Sequence, residues 1–229
     1  MSIALKTCGI THIADAELCI NHGAAFLGLI FVPDTPRYIA DIEVAKAICQ
    51  QARPLGIPTV GVFRDQPASL VFSIAEQAGL EFIQLHGQER AQDFAKSPYP
   101  IIKTLMLRDA NWPLKHAIQD WQPLKPYAWL LEDASKQPEA DFWQRVPHTL
   151  AQAAGLTINI DKGRNKDSSA NTLRAQIWVA GGFTPQTMPP VVQSVWPWAD
   201  AIDVASGIEV TAGQKSPEKL RAMIHALQL

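Results

Sequence analysis

The sequence predicts an α/β fold, a single-domain (β/α)8 TIM barrel over residues 1–229 with an extended segment between strands six and seven. Three observations carry this. Short apolar runs alternate with helix-length segments along the chain, the order expected of a parallel sheet with crossover helices. Eight such runs can be counted. A local pattern also recurs: Gly23-Ala-Ala-Phe-Leu-Gly-Leu29 matches Gly79-Leu-Glu-Phe-Ile-Gln-Leu85, a helix stop followed by Phe, an apolar residue, a small or polar one, and Leu. The copies lie 56 residues apart, which makes two units of about 28 residues, each long enough for a strand, a helix and two loops. An open doubly wound sheet is the competing architecture. The repeat count favours closure, and no GxGxxG follows the first strand.

Each element has a local reason. Ile3 to Cys8 reads as the first strand. Asp15 to His22 reads as a helix, with Asp15 as its cap and Gly23 as its stop. Phe26 to Phe31 is a continuous apolar run, as expected of a strand buried on both faces. Asp41 to Ala52 is a helix and Pro58 to Phe63 a third strand. Pro67 to Ala78 is a helix with Pro67 near its first turn and Gly79 past its end. Strands four to eight are Phe82 to Leu85, Ile101 to Met106, Trp129 to Glu132, Ile177 to Ala180 and Ala201 to Val204. Gly181 follows Asp133 by 48 residues, the longest interval between strand ends. That interval holds a polar stretch, Asp161 to Asn171, read as an exposed loop and the best candidate for an insertion.

Composition removes several classes of function. A chain that is 47% hydrophobic can bury a core that offsets its ordering entropy. Lys and Arg number 20 against 22 Asp and Glu, which argues against nucleic-acid or membrane-surface binding through bulk charge. No apolar run reaches the roughly 18 residues of a membrane span. The first ten residues lack a long apolar stretch with a cleavage site, so secretion is not expected. Cys8, Cys19 and Cys49 make an odd count without CxxC. That speaks against a disulfide framework or a zinc site and for a reducing cytoplasm.

In a barrel the chemistry sits where strands end. Lys6 and Cys8 share a face of strand one, and an ammonium one layer below a thiol favours its thiolate. The alternative is a buried, inert cysteine. Arg37 follows a proline-stiffened loop, Pro33-Asp-Thr-Pro36, and suits bidentate capture of a carboxylate or phosphate. His86 ends strand four, either donating to substrate or satisfying a loop carbonyl. Glu132 and Asp133 end strand six; if both remain on the strand they face opposite sides, so one can act as acid or base at the mouth. Gly181 and Gly182 follow strand seven, and Ser206 and Gly207 follow strand eight. Small residues there let backbone N–H groups approach an anion, in the loops where barrels commonly hold phosphate. Asp203 lies in strand eight, beside strand one in a closed barrel, which allows a buried pair with Lys6.

At these residues the chain resembles the phosphoribosylanthranilate isomerases of tryptophan biosynthesis. The matching pieces are Lys6-Thr-Cys-Gly-Ile-Thr11, Gly28 to Arg37, Val60-Gly-Val-Phe63, Ile83-Gln-Leu-His-Gly87, Ala180-Gly-Gly-Phe-Thr-Pro185 and Ile202 to Glu209 with Gly213 and Lys215. They follow the family's order over nearly the whole chain. The resemblance implies an Amadori rearrangement of an aminoaldose to an aminoketose, without metal or redox cofactor, on a small phosphorylated anionic substrate. It implies Cys8 as general base, Asp133 as general acid with Glu132 as the fallback, Arg37 on the anthranilate carboxylate, and Gly181, Gly182, Ser206 and Gly207 on the phosphate.

The chain departs from the family between strands six and seven. The usual GGTG-x-x-F-D-W-like segment is matched only poorly, by Gly155 to Asp161. That departure motivates a second reading, a divergent barrel using another sugar phosphate. A third is a non-catalytic binding protein of the same fold, its tryptophan-rich stretch from Trp112 to Trp143 with Trp196 and Trp198 marking an interface; core packing is the competing reading of those rings.

Overall fold

The computed structural model describes residues 3–109, 114–154 and 175–227. Eight parallel strands close into a barrel in sequence order: β1 (Ala4–Cys8), β2 (Phe26–Ile30), β3 (Thr59–Phe63), β4 (Phe82–Leu85), β5 (Ile101–Leu107), β6 (Ala128–Asp133), β7 (Gln176–Ala180) and β8 (Ala201–Val204). β8 returns to β1 with Lys6 opposite Asp203. Around the strands lie α1 (Ile13–Asn21), α2 (Ile42–Ala52), α3 (Ala68–Ala78), α4 (Leu114–Trp121), α5 (Ala140–Ala154), α6 (Met188–Val195) and α7 (Pro217–Leu227). A small antiparallel pair, β9 (Glu209–Thr211) and β10 (Gln214–Lys215), follows β8. The polar stretch 161–171 and the segment 155–161 lie outside the described residues.

The unit after β4 lacks an α-helix and has only a 3-10 turn, Ala91–Phe94. The link from Leu85 to Ile101 is too short for two loops and several helical turns. One expected cap also moves. Asp15 is the third residue of α1 and not its cap, and its carboxylate accepts from the Lys215 backbone N–H at 3.2 Å. Asp41 does cap α2, accepting from the Glu43 N–H at 2.9 Å.

Alternation along the strands divides the core in two. Val60, Ile102, Ala128, Leu130, Trp178, Ala180 and Ala201 fill the barrel interior. Phe26 packs 4.7 Å from Trp178, and Phe82 4.7 Å from Tyr127, with Phe26 and Phe82 also in edge contact. The strand residues between these inward ones, among them Leu5, Leu27, Leu29, Ile83, Leu105, Trp129, Leu131 and Ile202, form the shell between strands and helices. Trp121, Trp129, Trp143 and Trp198 are buried in that shell, and Trp196 is 41% exposed. The interface reading thus fails for those four rings, which are core; Trp112 lies outside the described residues.

Candidate active site

A cavity of about 330 Å³ opens at the C-terminal ends of the strands. Cys8, Arg37, His86, Glu132, Gly181, Gly182, Asp203 and Ser206 all line it. Gly28 makes room at its floor: a Cβ there would sit 2.7 Å from Cys8 Sγ and 3.0 Å from Lys6 Nζ. The glycine of strand two therefore lets the thiol and the ammonium share the barrel interior.

Lys6 is fully buried and donates to Asp203 Oδ2 at 2.8 Å. Burial disfavours the lysine charge, but Asp203 and Cys8 outweigh it and hold Lys6 above the usual lysine value. This alters the expectation for Cys8. Its thiol is pushed up, first by burial; Lys6 pulls it down while the Asp203 charge pushes it up again. The ammonium below the thiol belongs to Asp203, so burial keeps Cys8 a thiol near neutral pH. Asp203 Oδ1 and Gln84 Oε1 are buried without hydrogen-bond partners among the described residues, and both side chains border the cavity.

Strand six requires a correction. Asp133 does not face the mouth. Alternation puts Ala128, Leu130 and Glu132 inward and Asp133 outward with Trp129 and Leu131. Asp133 is fully buried there. It accepts from Arg108 Nε at 2.8 Å, from Arg108 Nη2, and from the Ser135 N–H and hydroxyl at 3.0 and 2.9 Å. These bonds tie down the loop after β6. Of the two, Glu132 is the carboxylate that lines the cavity, one oxygen on Lys136 Nζ and the other 3.2 Å from His86 Nε2. His86 is held near a pKa of about 4, first by burial and then by the Lys136 and Lys6 charges, so its ring is neutral at neutral pH. Its Nδ1 lies 3.5 Å from both Gln84 Nε2 and Thr104 Oγ1.

Arg37 borders the cavity, but much of its fork is engaged. Nε lies 2.9 and 3.0 Å from the two Glu209 oxygens, and Nη2 donates to Oε2 at 2.6 Å. Lys215 Nζ completes this cluster, donating to Glu209 Oε1 at 2.7 Å and to the Cys8 carbonyl at 2.6 Å. The Arg37 stem crosses Gly9, whose φ of 74° and lack of Cβ leave that space open.

The glycine loops are packed against each other. Gly182 has φ 69°, and a Cβ there would press on the Lys136 carbonyl. Gly181 rests on Asp133. Gly207 does not border the cavity: a Cβ at that position would run into the Phe183 carbonyl, so its smallness serves contact between the two loops. Sequence reasoning assigned no role to Lys136, Gln84 or Glu209. Lys136 lies three residues beyond β6 at φ 55°, where strand periodicity says nothing about direction.

The family described as N-(5'phosphoribosyl)anthranilate (PRA) isomerase matches residues 5–226 of this chain. The N-(5'-phosphoribosyl)anthranilate isomerase of Pelobacter propionicus is 31% identical, covering 97% of this chain and 94% of its own. The crystal structure of the phosphoribosyl anthranilate isomerase from Thermus thermophilus superposes with a TM-score of 0.72 at 31% identity, covering 99% of this chain and 98% of that one. A second such isomerase, solved in complex with reduced 1-(o-carboxyphenylamino)-1-deoxyribulose 5-phosphate, has a TM-score of 0.74 at 21% identity over 99% and 98% of the two chains, a likeness of fold. With the family matched from one end of the barrel to the other, this chain belongs to the PRA isomerases.

Proposed function

We propose that the chain isomerises N-(5'-phosphoribosyl)anthranilate by an Amadori rearrangement, with Glu132 as general acid and Cys8 as general base. The observation that carries this assignment is the presence of the Cys8 thiol and the Glu132 carboxyl in one cavity beside the Gly181–Gly182 and Ser206 loops. Protonated Glu132 donates to the furanose ring oxygen as the C1′–O bond breaks, leaving an iminium at C1′. The Cys8 thiolate removes the C2′ proton, and the resulting enolamine tautomerises to the ketone. Acid and base work from different strands, so each can act without displacing the other.

The remaining groups fit the substrate. The backbone of the glycine loops and Ser206 suits the phosphate. Arg37, aligned by Glu209, suits the carboxylate. The open acceptors Asp203 Oδ1 and Gln84 Oε1 suit ribose hydroxyls. A reducing, cytoplasmic location accords with Cys8, Cys19 and Cys49 being free and buried; no helix of the described residues is long and apolar enough to cross a membrane. The family match does not favour another sugar phosphate as substrate.

The test is complementation of a tryptophan auxotroph lacking this isomerase. The wild-type chain should restore growth, and Cys8→Ala and Glu132→Gln should not. A folded, soluble wild-type chain that fails to restore growth overturns the assignment.

A further inference from the structure

We propose that Lys136 is a phosphate-binding residue, paired with Glu132 in the empty cavity and passing to the substrate phosphate when it docks at the glycine loops. The inference rests on the isomerase reading for the identity of the phosphate ester, but its geometry stands separately. Among the described residues, Arg37 and Lys136 are the two cationic side chains bordering the cavity. Arg37 is held through both Nε and Nη2 by Glu209. The nearby Lys6 and Lys215 are fully buried and bound to Asp203 and Glu209. Lys136 differs from all three. Its side chain is 52% exposed and its ion-pair partner is Glu132, so it can turn toward a ligand without opening the core.

Its position points to the phosphate end. The Lys136 carbonyl abuts Gly182, where no Cβ would fit. The chain therefore brings the Lys136 backbone against the glycine loop, from which its side chain reaches Glu132.

Charge accounting gives the same answer. Lys6 cancels Asp203, and Lys136 cancels Glu132. Among the described residues, Arg37 and Lys215 against Glu209 then leave one positive charge. A substrate bearing a carboxylate and a phosphate dianion brings about three negative charges at neutral pH. Backbone N–H groups supply partial charge only, whereas Lys136 can supply a full one by changing partner, as lysine does at many phosphate sites.

The test compares binding of the reduced phosphorylated substrate analogue with that of its dephosphorylated counterpart, by titration calorimetry, to wild type, Lys136→Met and Lys136→Arg. Lys136→Met should weaken the phosphorylated analogue by roughly tenfold or more, the value of one charge-assisted hydrogen bond. It should leave the dephosphorylated analogue unchanged, and Lys136→Arg should restore most of the loss. Equal weakening of both analogues, or of neither, with circular dichroism showing native fold, overturns the proposal. Binding reads out without turnover. If wild type binds in the Lys136-dependent way but does not turn over, the isomerase reading fails and this one stands; if it turns over and Lys136→Met binds normally, the reverse holds.

Discussion

Two adjacent carboxylates end strand six and face opposite sides of the barrel, so, if the proposed roles hold, exchanging each for its amide should produce crossed phenotypes. Glu132→Gln keeps size and hydrogen bonding toward Lys136 and His86 but removes the donated proton. Loss of a general acid costs roughly 10²–10⁴ in kcat, or about 2.7–5.5 kcal/mol of barrel-mouth stabilisation of the transition state. Its effect on stability should be small, because one partner, Lys136, is half-exposed and the other, His86, is a neutral ring. Asp133→Asn should do the reverse. Asp133 is fully buried and receives two N–H groups from Arg108 and two donors from Ser135. Breaking a buried pair costs about 3–5 kcal/mol. Because the Arg108 side chain is 28% exposed and water can take up part of its charge, the lower end, about 3 kcal/mol, applies here. Turnover in the folded fraction should stay close to wild type. The assays are steady-state turnover and urea unfolding on the same preparations. Glu132→Gln turning over normally while folded Asp133→Asn is inactive refutes the assignment of the acid and the strand parity behind it.

Further tests follow from the same geometry. Asp203→Asn should destabilise by about 3–5 kcal/mol in urea unfolding, because Lys6 stays buried without its counter-ion, and the double variant Lys6→Met/Asp203→Leu should recover most of that loss; no recovery would mean that the pair does more than neutralise itself. The alkaline limb of kcat/KM, set by the higher of the two catalytic ionisations, should lie above the ordinary thiol value of about 8.5 because burial raises Cys8, and a limb below about 8 contradicts this. Gly207→Ala should destabilise the chain and weaken phosphate-ester binding together, since its methyl group meets the Phe183 carbonyl; a neutral result would show that the two loops can part freely. His86 has a pKa lowered to about 4, so the unfolded chain takes up a proton first as pH falls below about 6.5. The associated stability is present above that pH and lost toward pH 4, by at most about 3 kcal/mol; His86→Gln should lack this slope relative to wild type.

The strands were legible because a sheet buried on both faces needs apolar residues at nearly every position, and runs such as Phe26 to Phe31 have few other uses. The same property hid the direction of individual side chains. Where inward and outward positions are both apolar, as in Ala128-Trp-Leu-Leu131, nothing local says which carboxylate continues the inward set. That is why Asp133 and Glu132 exchange places between expectation and structure. The influence of Lys6 on Cys8 was half legible: the shared face and, once the barrel closes, the Asp203–Lys6 pair across 197 residues could be read, but not that this pair holds the lysine charge away from the thiol. Glu209, which aligns Arg37, lies 172 residues from it. Lys136 gave no signal, since a lysine in a polar loop after a strand reads as an ordinary solvated charge.

The proposed acid and base hold their one shared proton on the wrong partner. Cys8 is a thiol because burial and Asp203 outweigh Lys6, while Glu132 receives Lys136 and His86, contacts suited to a carboxylate. Catalysis needs the converse, a thiolate and a carboxylic acid. Moving one proton from Cys8 to Glu132 accomplishes this, and each part of the substrate favours one half of it. A phosphate that draws Lys136 away leaves Glu132 without its cation, which favours the acid. An iminium forming beside Cys8 provides the positive charge that Lys6, bound to Asp203, cannot, which favours the thiolate. In the proposed mechanism, binding of the non-reacting phosphate would be converted into the protonation state that the reaction requires, a use of remote binding energy that lowers the barrier as well as KM. On this account a substrate shortened by removal of its phosphate should lose kcat more than the weaker binding alone explains, whereas Lys136→Met, which frees Glu132 whether or not phosphate is bound, should raise KM for the full substrate and shrink the kcat difference between the two substrates.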